Sequence, residues 1–309
     1  MPISGRRAGV LPGTAAVQWY ATAASKQTLF VNSIKRFVSP EGWDRQGIRH
    51  RTFAGGLCRP PSGRRVAKRP FGIVVALAVH ATEIPAPAHL AATVVLVRDS
   101  QHGCETLLVR RNAQLSFHGG AWVFPGGRVD PEDYAAAGDS DDVIAAGRYA
   151  AVREAWEEAG VHVAHTDLRL FSRWITPEEA PKRFDTLFFV ARATTDEVRV
   201  DGGEIHEHRW MRPQEALALH RPGEFDLPPP TFVTLTQLAA HRSVAEILTV
   251  IPACSLPPFM PQLRVMAEGA CCLYPGDAAY GDYDLDVPGP RHRLLITESG
   301  WCYQRDPTD

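Results

Sequence analysis

Three glutamates within five residues, Glu154, Glu157 and Glu158, constrain this chain more than any other feature. On an α-helix they stand at i, i+3 and i+4, so their carboxylates share one face. Like charges at that spacing oppose the helix by roughly 0.2–0.5 kcal/mol per pair. A run of this kind is most often solvated surface, but a cation shared among the three would offset the repulsion. Hard oxygen ligands select Mg²⁺ or Mn²⁺ over softer metals. Arg153, immediately before the cluster, is placed to brace one of the glutamates.

The flanks specify the element. Asp139-Ser140-Asp141-Asp142 supplies capping side chains, Val143 to Ala159 reads as a helix, and Gly160 closes it. Upstream, Ala91 to Val97 and Glu105 to Arg110 read as neighbouring strands, and Phe124-Pro125-Gly126-Gly127 as a sharp loop. Downstream, Leu168 to Ile175, Thr186 to Ala193 and Ile205 to Met211 read as strands, Pro213 to His220 and Thr231 to Ile247 as helices. Strands interspersed with helices imply a mixed sheet covered by helices.

Taken together, the glycine loop, Arg153-Glu154, Glu157-Glu158 and Gly160-Val161 resemble the Nudix box, a loop-helix motif of pattern G-x5-E-x7-R-E-U-x-E-E-x-G-U. The resemblance implies an α/β/α sandwich with a mixed β-sheet and metal-assisted attack of water on a diphosphate. By position it implies Glu154 and Glu158 as metal ligands and Glu157 as a further one. Glu154 or a later carboxylate then serves as general base, and no nucleophilic side chain is needed. The match departs from the pattern in one place: Asp133 stands six residues after Gly127 where glutamate belongs, and Arg153 follows 20 residues later. An insertion through Tyr134-Ala135-Ala136-Ala137-Gly138 therefore interrupts the box.

The stretch Leu107 to Gly127, with the interrupted box, Trp174-Ile175-Thr176-Pro177 and Arg183-Phe184-Asp185-Thr186, is similar to the coenzyme A (CoA) and acyl-CoA diphosphatase branch. The substrate implied is CoA or acyl-CoA, cut to 3′,5′-ADP and a phosphopantetheine. ADP-ribose, a nucleotide sugar or a dinucleotide is the alternative within the fold, and a non-catalytic nucleotide sensor the alternative outside it. Candidate substrate-binding residues are Arg110, Arg111 and Arg128, with Gly126 and Gly127 of the loop. Arg110 and Arg111 alternate on a strand, so one of the two faces the site. Glu204 or Glu207 is the candidate for an additional metal ligand.

Charge divides the chain. Residues 1–80 hold thirteen basic and two acidic residues, against 20 and 33 in the remainder, although the whole nets only -2. Residues 1–82 are read as a basic disordered extension, 88–250 as the hydrolase domain, and 251–309 as an irregular C-terminal extension packing on or near the site. The basic stretch fits an organellar targeting segment, a nucleic-acid arm, or sequence outside the working protein, and the last is preferred. Nucleic acid is not expected as a partner of the domain. Six cysteines without paired spacing point to a reducing, cytoplasmic setting. No stretch is apolar enough to span a membrane, and the end Arg305-Asp306-Pro307-Thr308-Asp309 carries no peroxisomal address.

Overall fold

The computed structural model describes residues 85–307, apart from 116–117, 140, 222–223 and 252–256. The basic extension expected over 1–82 lies outside the described residues. Strand β1 (Ala88–Ser100) is apolar along both faces, from Ala91 to Val97, and this is the pattern of a strand covered on both sides. It turns through Gln101-His102 into β2 (Gly103–Arg111), with Ser100 opposite Gly103. On its other edge β1 pairs in parallel with β6 (Arg183–Arg192), which in turn pairs antiparallel with β5 (Arg169–Ile175). Strand β7 (Ile205–Met211) lies antiparallel to β2.

The β1–β2 hairpin is paired only near its turn, over Val97–Ser100 and Gly103–Thr106. Beyond Thr106 the two strands part. Two short strands fill the gap: β3 (Trp122–Val123) pairs with β2 at Val109 and Arg110, while β4 (Gly126–Arg128) pairs with β1 at Ala91 to Thr93. The Phe124-Pro125 link between them is tied in by the Val94 N–H, which donates to the Pro125 carbonyl at 2.9 Å. The glycine loop is thus wedged into the sheet and does not hang from its edge.

One face of this sheet is covered by α2 (Val143–Ala159), preceded by the short helix α1 (Pro131–Ala137). The Asp142 carboxylate accepts from the N–H groups of Ile144 and Ala145, and Gly160 takes the left-handed conformation, φ 65°, that ends the helix. The face that α2 buries is built of small residues, Ala146, Gly147, Ala150, Ala151, Ala155 and Ala159, which bring its axis close to Val94, Leu96, Leu107, Leu187 and Phe189.

The opposite face carries α3 (Pro213–Leu219), α4 (Pro229–Leu238) and α5 (Val244–Val250). Layers of helix on either side of a mixed sheet give the α/β/α sandwich expected. The single helix read over Thr231 to Ile247 is instead two, α4 and α5. Ser243 starts the second by accepting from the Glu246 N–H, an S-x-x-E signal within the run. None of the helices described is long and apolar enough to cross a membrane.

The C-terminal part is not irregular. Strands β8 (Gln262–Met266), β9 (Gly269–Leu273), β10 (His292–Thr297) and β11 (Gly300–Arg305) form an antiparallel meander. Its residues Ala270, Cys272, Tyr274, Leu294 and Ile296 join the same apolar cluster as Val95, Leu108, Trp174 and Phe188, on the sheet face away from α2. Phe259 extends the link. Its main chain exchanges hydrogen bonds with Arg173 and Ile175, and its ring stacks on Trp174 at 4.2 Å. The Pro-, Gly- and Tyr-rich connection between β9 and β10 is held by Arg293, whose guanidinium donates to both oxygens of the buried Asp277, at 2.7 and 2.6 Å.

The alanine stripe of α2 makes a direct prediction. Ala151→Leu adds three carbons where the helix meets the sheet and should destabilise the chain by about 1–3 kcal/mol, read from urea unfolding. An unchanged midpoint would mean that the helix sits farther from the sheet than the buried alanines indicate.

Candidate active site

The wedge and α2 meet at Gly126 and Gly127. The Gly126 N–H donates to Glu158 Oε2 at 2.9 Å. A side chain on Gly127 would overlap the Glu154 carboxylate, and one on Gly126 would overlap Thr93 and the Ala92 carbonyl. Both positions therefore require glycine for space. Neither has a positive φ. The structure thus sets Glu154 and Glu158 against bare backbone, with little water between. Glu158 is 6% exposed and the Glu154 side chain 14%. Glu157 differs, with its side chain 55% exposed.

Arg153 organises the surroundings. Its Nε and Nη2 reach the two oxygens of Asp133 at 3.3 and 3.0 Å. Nη2 also donates to the Arg128 carbonyl at 2.9 Å, and Nη1 donates to Glu154 Oε1 at 2.8 Å and to Glu157 Oε2 at 3.1 Å. Two of the three glutamates are thereby braced by one guanidinium, where the sequence suggested one. Asp133, whose part the sequence left open, is buried in the first turn of α1 and also accepts from the Asp130 N–H. The insertion therefore returns a carboxylate to the arginine in spite of the longer spacing. Its signal was present as Asp130-Pro131-Glu132-Asp133, a helix start with an acidic third position.

The electrostatics follow from this burial. Desolvation pushes the Glu158 carboxyl up to about 8, against the Gly126 N–H and the Arg111 charge, which favour its ionised form, and with help from the nearby Glu154 and Glu204. Burial likewise raises Glu154, opposed by Arg153. Burial works against the charge of Arg153, yet its bonds to Asp133 and Glu154 hold it firmly protonated.

Arg111 and Glu204 belong to this group: Arg111 Nη2 contacts Glu204 Oε2 at 3.4 Å, and both act on Glu158. Arg111 Nε is buried without a hydrogen-bond partner. Arg110 faces the other way, bonded to Glu207, which also accepts from Arg209 on the ring of Trp122. The alternation expected for the arginine pair thus extends to the carboxylates, with Glu204 on the α2 side and Glu207 on the far side. Arg128 is exposed, and its side chain contacts His89. Burial and the charge of Arg111 lower the pKa of His118 to about 4. Among the described residues, no three His, Cys, Asp or Glu side chains converge closely enough, as they stand, to hold a metal ion.

The Asp133–Arg153 pair is open to a stability test. Arg153→Ala strands a buried carboxylate and should cost about 2–3 kcal/mol, less than the ~3–5 typical of a fully buried pair because Arg153 keeps part of its exposure. Wild-type stability in thermal unfolding would show that the Asp130 N–H satisfies Asp133 alone.

Residues 87–230 match the model of the NUDIX domain family. The chain is 29% identical over 138 residues to the acyl-coenzyme A diphosphatase NUDT19 of Xenopus laevis, covering 42% of this chain and 36% of that protein. It is also 29% identical over 170 residues to the putative nudix hydrolase 7 of Caenorhabditis elegans, covering 43% and 55%. It thus spans about half the length, or less, of these curated relatives. Among solved structures, the NUDIX hydrolase of Alicyclobacillus acidocaldarius aligns over 99% of its own length and 55% of this chain, at 26% identity and a TM-score of 0.50. The wedged glycine loop, the acidic helix and these likenesses agree: over residues 87–230 the chain is a Nudix domain.

Proposed function

We propose that the chain hydrolyses the diphosphate linkage of CoA or an acyl-CoA, giving 3′,5′-ADP and the (acyl-)phosphopantetheine. The observation that carries the hydrolytic reading is the pair of desolvated carboxylates, Glu154 and Glu158, against the Gly126-Gly127 backbone. Two desolvated acids crowded on one spot, answered by Arg153, which also serves Asp133, and by the charge of Arg111, fit a site for a hard divalent cation. Glu154 and Glu158 would hold it, with Glu157 joining by exchanging its bond to Arg153 for the ion. When bound, Mg²⁺ or Mn²⁺ neutralises diphosphate charge and acidifies water. CoA is favoured as substrate by the stretch Leu107 to Gly127 and by the names of the NUDT19 relatives.

The chain's own residues supply the rest. The attacking water forms a new P–O bond as the bridging P–O bond breaks, and its proton passes to a carboxylate, with Glu204 and Glu154 in reach. The bridging oxygen leaves on one product phosphate. Arg111, with its unpartnered Nε and a long contact to Glu204, is the cation best placed to take a phosphate oxygen in exchange. Arg153 holds Glu154 still throughout.

Two measurements test this. Incubating the full chain and Mg²⁺ or Mn²⁺ with CoA, acetyl-CoA, ADP-ribose, a nucleotide sugar and a diadenosine polyphosphate, with products read by mass spectrometry, should rank the CoA compounds first. A higher rate on ADP-ribose or a dinucleotide would overturn the CoA assignment, and no turnover of any would favour a sensor.

The second measurement uses pH. A carboxyl raised from about 4.5 to about 8 by folding stabilises the metal-free chain below the lower value, and that stability is lost as pH rises towards 8. In EDTA, Glu158→Gln should therefore be more stable relative to wild type at pH 8 than at pH 5. Added Mn²⁺ should raise the melting temperature of wild type, more at pH 8 than at pH 6, and do little for the variant. Equal stabilisation of both proteins by Mn²⁺ would remove Glu158 from the proposed ligand set.

A further inference from the structure

The loop that leads into β7 is built around Asp201, which no motif marks. Its carboxylate accepts from three successive main-chain N–H groups: those of Gly203 at 3.1 Å and Glu204 at 2.8 Å on Oδ2, and that of Ile205 at 2.9 Å on Oδ1. Two glycines allow this. Gly202 takes the left-handed conformation, φ 73°, and a side chain on Gly203 would come within 2.9 Å of Asp201 Oδ2. Asn112, the residue after β2, closes the loop from the other side. Its N–H donates to the Glu204 carbonyl at 2.7 Å and its Nδ2 to the Gly203 carbonyl at 3.0 Å. Both main-chain groups of Glu204 are therefore taken, the N–H by Asp201 and the carbonyl by Asn112.

The Glu204 side chain is held far less firmly than its backbone. It is 61% exposed, and its contact with Arg111 is a long one, 3.4 Å. Yet its charge is felt by both Glu154 and Glu158. When Arg111 turns to a phosphate oxygen, as the proposed reaction has it, that contact is given up, and the main chain must keep the carboxylate beside the site. The register of the sheet serves the same end. Arg110 stands opposite Glu207 and Arg111 opposite Ile205, so His206 is an extra residue in β7, a bulge of the kind that re-aims neighbouring side chains. Asp201 takes the Ile205 N–H right beside that irregularity.

We infer that Asp201 and Asn112 are positioning residues for the hydrolysis, clamping the loop so that the Glu204 carboxylate stays beside Arg111 and the two buried glutamates of α2. This inference rests on the proposed diphosphate hydrolysis, in which Glu204 is in reach of the water's proton. Asp201 itself acts only through the chain. A segment with two adjacent glycines has more backbone freedom to lose than any other, and without the Asp201 carboxylate its three N–H groups turn to water. Glu204 then samples positions about an ångström or more from the working one, and a displacement of that size costs about a hundredfold in rate.

A double-mutant cycle on the full chain tests the clamp, using whichever diphosphate of the substrate panel is cleaved fastest with Mg²⁺ or Mn²⁺. Asp201→Ala should lower kcat by about 10- to 100-fold and leave KM within about threefold. Asp201→Asn, which keeps an acceptor oxygen, should recover most of that loss. Asn112→Ala removes one contact of two and should cost about threefold; it takes the place of Asp201→Ala in the cycle if that variant fails to fold. In a Glu204→Gln background, Asp201→Ala should lower kcat by no more than about twofold further, whereas a merely structural residue would multiply its loss onto that of Glu204→Gln. Amide exchange followed by NMR needs no substrate. The N–H groups of Gly203, Glu204 and Ile205 should exchange about tenfold faster or more in Asp201→Ala, with those of α2 unchanged. Wild-type kcat in Asp201→Ala, losses that multiply, or unaltered exchange would overturn the clamp. Faster exchange at these three amides in a chain that cleaves no diphosphate would keep the clamp and reject the proposed activity.

Discussion

The desolvation of Glu158 is the constraint around which the domain is arranged. A carboxylate at 6% exposure is costly to ionise, and the surroundings answer that cost with the Gly126 N–H and the charge of Arg111. To offer that N–H, the Gly126-Gly127 segment must reach the middle of the sheet's end. It does so because β1 and β2 part after a short paired stretch and admit β3 and β4 between them. To bring the carboxylate there, α2 must lie close to the strands, and its stripe of alanines permits that approach. Loop, split hairpin and small-residue helix are three responses to one electrostatic demand.

Arg153 has a role distinct from that of the glutamates. It is bonded to the inserted helix through Asp133, to the glycine strand through the Arg128 carbonyl, and to two acidic side chains of its own helix. Three segments thus share one planar cation. An insertion can lengthen the path between loop and helix without loosening the site, provided it ends by returning a carboxylate to this guanidinium. Asp133 meets that condition even though it is shorter than the expected glutamate.

Much of this was legible in the chain, and the omissions have physical causes. The limits of α2 were written in Asp142 and Gly160, because caps act locally. The strands were readable from apolar runs. That Arg111 and not Arg110 faces the site was not, since strand alternation gives parity but no absolute direction until the neighbours are known. The break between α4 and α5 rested on a single serine within an apolar stretch. The C-terminal meander was hidden because its strands are only five or six residues long and its connection is rich in Pro, Gly and Tyr. What orders that connection is the Asp277–Arg293 pair, a contact over sixteen residues that no local pattern announces.

The apolar cluster shared by the main sheet and the meander bears on how this protein is divided. Trp174 and Phe188 belong to the Nudix match, Tyr274 and Leu294 lie beyond it, and all four are packed in one continuous core. Cutting the chain where the family match ends would leave a greasy half-interface facing solvent, and melting either half alone would unroof the other. The two sequence segments share one apolar core, so the smallest piece worth purifying is set by where this shared oil ends, well past the family match.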